Sequence, residues 1–381
     1  MAALKKVVLI PDSFKGTMSS AEICSIMAEQ IRRYEPAAQI VQVPVADGGE
    51  GTVDAFLTAM GGEKVSLSVQ GPYGENLRGF YGLVDGGRTA IVEMAACAGL
   101  PLVGENRHAE KTTTYGVGQL IAHAVKSGCK KIIVGLGGSA TNDGGAGAAC
   151  ALGIRFLDAE GKAFVPVGQT LDRVVSIDAS ELCPELANTE LITMCDIDNP
   201  LCGPQGAAAV FGPQKGADEE TVRLLDRNLA HLAEVIKKDL AKEVRELPGA
   251  GAAGGMGAGM VAFFGSRLQM GIETVLDTVR FDELAEGADL IFSGEGKLDF
   301  QSLRGKVISG VAKRARKLTV PLILVVGDIG DNIEPVYQLG VKAVFSINRV
   351  AVDFSAAKKR SQRDLADTMD NLMRFYSVIT G

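Results

Sequence analysis

Acidic residues that sit beside glycine or proline, each just after an apolar run, are the groups of this chain best suited to chemistry. Asp12 lies in PDSFKG, Asp47 and Glu50 in ADGGEGT, Asp196 and Asp198 in CDIDNPL, and Glu295 and Asp299 in SGEGKLDFQS. Each stands at or just beyond the carboxyl end of a predicted strand, where loops carry function and a solvated-surface explanation is weaker. Lys15, Lys215 in FGPQKGA, Lys297 and Lys306 occupy similar polar, glycine-bearing loops. Carboxylates and ammonium groups so placed suit phosphoryl transfer, which needs positioning, charge neutralisation and an acceptor for a hydroxyl proton. Histidine chemistry has little support: there are three histidines, His108, His123 and His231, and no G-x-S-x-G. A zinc site of four soft ligands is equally improbable, so a metal here would be a hard ion such as Mg2+ held by carboxylate oxygen.

The glycine-rich stretch GLGGSATNDGGAG, residues 135–147, admits three readings. Gly135-Leu136-Gly137-Gly138-Ser139-Ala140 satisfies G-x-G-x-x-[GA] after a strand, and Asp158 follows where an NAD ribose contact belongs. Asn142-Asp143-Gly144-Gly145 instead put a carboxylate at the helix entrance, which suits a metal-bound nucleotide better than a bare pyrophosphate. A plain structural turn is the third reading. A second stretch, GAGAAG at 249–254, follows a charged helical pattern rather than a strand, and close helix packing and ligand-facing amides are equally good accounts of it. No G-x-x-x-x-G-K-[ST] occurs, which sets the P-loop fold aside.

These loops need strands and helices to hold them. KKVVLI, a helix over Ser19–Ile31 with a Ser19/Glu22 capping box, and QIVQVPV read as a βαβ unit. Residues 63–95 switch to alternating patterns joined by glycine turns, an antiparallel meander. The βα rhythm returns with Val117, Leu120, Ile121, Ala124 and Val125 on a helix, followed by KIIVG and LITMCDI. Val222, Leu225, Leu229, Leu232, Ile236 and Leu240 mark a long helix whose stripe is core. After residue 285, ADLIFSGEG, PLILVVGD and AVFSIN read as parallel-sheet strands. The expectation is an α/β protein of two α/β domains. A discontinuous Rossmann-like parallel-sheet domain comprises 1–62 and 285–381, an α/β domain of 63–284 is inserted in it, and the active-site cleft lies between them.

At 381 residues the chain has room for two cores, and its 46% hydrophobic and 22% charged content is that of a globular protein. A formal net charge of −7, with no Trp and no basic stripe, argues against nucleic acid as a partner. MAALKKVVLI runs into a strand pattern rather than a signal peptide, and no apolar stretch is long enough to span a membrane. The seven cysteines lack a C-x-x-C pair and read as reduced thiols, so a cytoplasmic location is expected.

Taken together, PDSFKGTMSS at 11–20, VADGGEGT at 45–52, GGSATNDGGAG at 137–147, CDIDNPLCG at 195–203, FGPQKGA at 211–217, PGAGAAGG at 248–255 and SGEGKLDFQSLRGK at 293–306 resemble the type I glycerate kinase family in order along nearly the whole chain. The resemblance implies ATP- and Mg2+-dependent phosphorylation of glycerate, with 2-phosphoglycerate as the product of the bacterial members and the 3-hydroxyl as the alternative acceptor. Within it, Gly137, Gly138, Ser139, Thr141 and Asn142 are expected to offer donors to the ATP phosphates, with Lys215 assisting. Asp196 is the first candidate for general base or Mg2+ contact and Asp47 the second. Asp143 and Glu295 are further metal candidates. Ser13 and Lys15 would hold the substrate carboxylate, with Asp47, Gly48 and Gly49 also at the substrate and Lys15 counted among the catalytic groups. Oligomeric state is left open, a homo-oligomer included.

Overall fold

The computed structural model describes residues 4–299 and 307–380, so Lys306 lies outside the described residues. The chain divides into two compact units, one of Met1–Ala46, Thr58–Met60 and Ile272–Gly381, the other of Asp47–Leu57 and Gly61–Gly271. Both are α/β, with an all-parallel main sheet in the first and a mixed main sheet in the second.

Runs such as VVLIP, LIFSG and LILVV have no polar face, so they settle where both faces of a sheet are covered. In the first unit they form a five-stranded sheet in the order Val341–Ser346, Leu322–Val326, Leu290–Gly294, Lys6–Pro11, Gln39–Gln42, parallel throughout. Pairing of Pro11 with Gly294 sets the loops that follow these two strands side by side. Helix Ser20–Tyr34 opens on the expected capping box: Glu22 N–H donates to Ser19 Oγ at 3.3 Å and Ser19 N–H to the Glu22 carboxylate at 2.8 Å. It packs beside helix Phe354–Thr380, with Tyr34 donating its hydroxyl to Asp370 at 2.6 Å. Ile23, Met27, Leu9, Phe292, Leu365 and Met369 meet in the core beneath them.

The second unit has a six-stranded sheet ordered Arg267–Gln269, Glu190–Met194, Lys131–Gly135, Thr89–Glu93, Asn76–Val84, Glu63–Gln70. The first four strands are parallel, and the last two continue from Thr89–Glu93 as an antiparallel meander. Helix Tyr115–Lys126 buries Val117, Leu120, Ile121, Ala124 and Val125 in the main core of this unit. The leucine stripe of helix Glu219–Leu240 fills a second core with Phe156 and Phe263, and each such leucine contributes about 1.5–3 kcal/mol by leaving water. All seven cysteines are free thiols. Among the described residues no helix is long and apolar enough to cross a membrane.

Candidate active site

In the second unit, the carboxyl ends of the central strands Thr89–Glu93, Lys131–Gly135 and Glu190–Met194 share one edge of the sheet, and the loops beyond them meet the turn 47–51 there. Gly137 N–H donates to the Gly48 carbonyl at 2.9 Å. The approach leaves no room for side chains: a Cβ on Gly135 would lie 2.3 Å from the Gly48 carbonyl oxygen, and one on Gly137 2.6 Å from the Gly49 Cα. On the opposite flank, Leu100 N–H donates to the Gly138 carbonyl and Ala140 N–H to the Ala98 carbonyl, both at 2.8 Å. Gly138, at φ +70°, is exposed between these supports, with Asp47 and Glu50 also exposed in the neighbouring turn. Among the described residues no acceptor takes the N–H of Gly138 or Ser139.

Beyond Ser139 the loop turns inward. Thr141, Asn142 and Asp143 are wholly buried. Asp143, whose position suggested a metal contact, has both oxygens engaged by protein. One accepts from Thr114 N–H at 2.8 Å, Thr114 Oγ1 at 2.9 Å and Gly147 N–H at 3.2 Å, and the other from Gly145 N–H at 3.1 Å. Burial pushes its carboxyl above the usual range, against the pull of those donors. It therefore holds the loop together and presents no oxygen to a metal. Tight glycine contacts explain the burial: a Cβ on Gly254 would meet the Thr141 carbonyl oxygen at 2.0 Å, and one on Gly259 the Gly144 carbonyl oxygen at 2.4 Å. The second glycine stretch thus packs against the first. The expected ligand contacts Thr141 and Asn142 point into this interior, where Thr141 Oγ1 and both amide atoms of Asn142 lack partners among the described residues.

Lys215 is also internal. Its ammonium donates to Ser139 Oγ at 2.8 Å and to the Thr141 carbonyl at 2.7 Å, and burial draws it down to about 7. Gly48 and Gly49, expected at the substrate, are buried, and Gly49 N–H bonds Asp47 Oδ1 at 3.2 Å. Asp196 is exposed beyond strand Glu190–Met194 and accepts Gly271 N–H at 2.7 Å.

Glu93 is a residue the sequence reading passed over. It ends strand Thr89–Glu93 opposite Gly135, is 4% exposed, and accepts Val53 N–H at 3.0 Å at the start of helix Thr52–Met60. Desolvation raises its carboxyl above the ordinary value, while the Val53 and Gly51 N–H groups oppose the shift. It thereby ties the Asp47 turn to the sheet beside the glycine loop. The signal was present in TAIVE, a carboxylate ending an apolar strand.

In the first unit, Ser13, Lys15 and Glu295 come to neighbouring loops past Pro11 and Gly294. A Cβ on Gly296 would touch the Phe14 Cα at 3.4 Å and the Lys15 nitrogen at 3.5 Å. Ser13 N–H donates to Asp12 Oδ1 at 2.6 Å; Lys15 is exposed and Glu295 buried. Among the described residues no group of three or more His, Cys, Asp or Glu can hold a metal ion. An ion such as Mg2+, which keeps several waters and takes one or two carboxylates plus phosphate oxygens, does not need one.

The model of the glycerate kinase family matches residues 7–377. The chain belongs to the glycerate kinase family. It is an enzyme of that family, 44% identical over 374 residues to the glycerate kinase of Bacillus cereus, covering 98% of each chain. It is 46% identical over 343 residues to the glycerate 2-kinase of Escherichia coli, covering 90% of each. A crystal structure from Salmonella typhimurium LT2 that carries the name glycerate kinase 2 superposes with a TM-score of 0.88 at 41% identity, over 98% of this chain and 99% of that one.

The NAD alternative has no footing in this member of the family. The helix after the glycine loop, Ala146–Ala151, is one and a half turns long. Strand Arg155–Leu157 then leaves the main sheet to pair antiparallel with Ala163–Phe164 and Ser176–Asp178. Asp158 is occupied in a turn, accepting the N–H groups of Glu160 and Lys162 at 3.0 Å each. The strand that directly follows this helix therefore does not return beside Lys131–Gly135, as the βαβ unit of a dinucleotide fingerprint requires.

Proposed function

We propose that this enzyme transfers the γ-phosphoryl group of ATP to the 2-hydroxyl of glycerate, yielding 2-phosphoglycerate with the help of Mg2+. The observation that carries the reading is the loop edge formed by exposed Gly138 and the adjoining Ser139. Two N–H groups without acceptors among the described residues lie there, just beyond the end of a central parallel strand, where preorganised donors stabilise phosphoryl charge. The name of the Escherichia coli relative supports the 2-phosphate.

In this reading the Gly138 and Ser139 amides and the Ser139 hydroxyl bind phosphate oxygens. Gly137, with its N–H on Gly48, shapes the edge. Asp196 accepts the proton of the attacking hydroxyl, with Asp47 the second candidate; both are exposed. Mg2+, when bound, would neutralise charge on the phosphates, and Asp196 and Asp47 are exposed carboxylates of this unit suited to hold it. Ser13 and Lys15 bind the substrate carboxylate through a donor and a cation. A cytoplasmic location follows from dependence on ATP.

Incubation with ATP, Mg2+ and each glycerate enantiomer, followed by phosphorus NMR, tests this. A 2-phosphate signal dependent on Mg2+ is expected. A 3-phosphate signal would reassign the acceptor hydroxyl, and no transfer from ATP would overturn the donor.

A further inference from the structure

Lys215 lies in the helical turn Pro213–Lys215 and is 2% exposed, yet it hydrogen-bonds two uncharged oxygens, Ser139 Oγ and the Thr141 carbonyl. Asp143 acts on it only at longer range. Having accepted a hydrogen bond from the lysine, Ser139 Oγ keeps its own proton to donate, and among the described residues no acceptor takes it. Ser139 is 7% exposed and adjoins Gly138, the exposed residue of the loop. A hydroxyl that accepts a bond from an ammonium becomes a stronger donor, and more so away from water.

Resting on the nucleotide reading above, we propose that Lys215 is a positioning residue that acts on the nucleotide through Ser139. It fixes and polarises the hydroxyl as a donor to a phosphate oxygen without touching the nucleotide itself. Its buried ammonium is close enough to such an anion to be stabilised by it. The free lysine, near 7, is mostly neutral at pH 8, so binding there takes up a proton.

The charged groups on the surrounding elements are Asp143 on the loop, Arg107, His108, Glu110 and Lys111 on the segment before helix Tyr115–Lys126, and Asp218 at the start of helix Glu219–Leu240. Most are committed elsewhere: Arg107 to the carbonyls of Gly104 and Gln214, His108 and Lys111 to Glu110, and Asp218 to Thr221 N–H.

Calorimetric binding of Mg-ATP at pH 8, in two buffers of different ionisation enthalpy, tests the proposal on wild type, Ser139→Ala, Lys215→Met and the double variant. Wild type should take up most of one proton and Lys215→Met none. Each single change should weaken binding about tenfold, and the double variant should be no weaker than the weaker single one, because the second change removes nothing further. Additive losses, or proton uptake that persists in Lys215→Met, overturn the proposal. Should Lys215→Met not fold, Ser139→Ala decides it: wild-type affinity or undiminished proton uptake overturns the relay, and a loss of both supports it. Wild-type binding without proton uptake removes this proposal and leaves the nucleotide reading standing. A wild type that binds no Mg-ATP removes both.

Discussion

The two halves of the loop 135–147 look alike in sequence, small residues and glycine broken by a few polar groups, yet they occupy opposite environments. Gly137 to Ser139 run along the edge of the sheet with Gly138 exposed and two N–H groups unclaimed. Thr141 to Gly145 are sealed between Gly254–Gly259 and the leucines of helix Glu219–Leu240, with Leu232 only 2.5 Å from where a Cβ on Gly144 would lie. In the first half Gly137 lets the turn 47–51 approach while Gly138 stays exposed, and in the second half glycine lets two buried backbones approach each other. Polar residue types alone do not separate a binding loop from a buried brace. The separation depends on exposure, since Thr141 Oγ1 and the Asn142 amide lack partners among the described residues and are nonetheless wholly buried.

Variants on the two sides of this divide should fail differently, and the largest effect belongs to the exposed side. Asp196→Asn should lower kcat for glycerate by about 10²–10⁴-fold, the usual loss of a positioned acid-base group, with little change in Tm. Undiminished turnover by a folded variant would remove Asp196 from the chemistry. Asp143→Ala should do the reverse. It strands the N–H groups of Thr114, Gly145 and Gly147 and the Thr114 hydroxyl, at a cost of about 3 kcal/mol or more in chemical denaturation. The folded fraction should keep its dependence on Mg2+ concentration; a selective rise in the Mg2+ requirement would return Asp143 to the metal and blur the divide.

Lys15→Ala should raise KM for glycerate about tenfold with kcat near wild type, since a lost ground-state ion pair weakens binding before chemistry. A raised KM for ATP instead would move Lys15 to the nucleotide. The subtlest test concerns Lys215, whose value in the fold, about 7, lies below the ordinary lysine value of 10.5. Between those values the unfolded chain binds more protons, so this residue's contribution to stability rises with pH from 7 toward 10.5 and is constant below 7. Denaturation midpoints of wild type should therefore gain on those of Lys215→Met across that window. Parallel curves would mean that the ammonium stays charged in the fold.

Much of this was legible in residue order. The all-apolar strands VVLIP, LIFSG and KIIVG, the Ser19/Glu22 box and the leucine stripe of Glu219–Leu240 are local patterns whose physics lies in a few neighbouring residues. Asp158 shows where such reasoning ends: its spacing from the glycine loop fits an NAD site, but strand Arg155–Leu157 leaves the main sheet, and spacing carries no information on which sheet a strand joins. Glu93 was missed because its role depends on Val53, a partner supplied by the start of helix Thr52–Met60, far from it in sequence.

The sequence by itself determined the α/β class, the places where loops interrupt strands, and the ordered set of glycine and carboxylate motifs that mark the family. Tertiary structure alone decided which of those motifs face solvent. Asp143 and Asp196 are both aspartates in glycine- or proline-bearing loops after a buried strand. The first is enclosed by donors brought from Thr114 and the 145–147 turn, and the second is exposed and accepts the Gly271 N–H. The physical reason is that a carboxylate's availability depends on how many donors reach it through space, and those donors come from elsewhere in the chain.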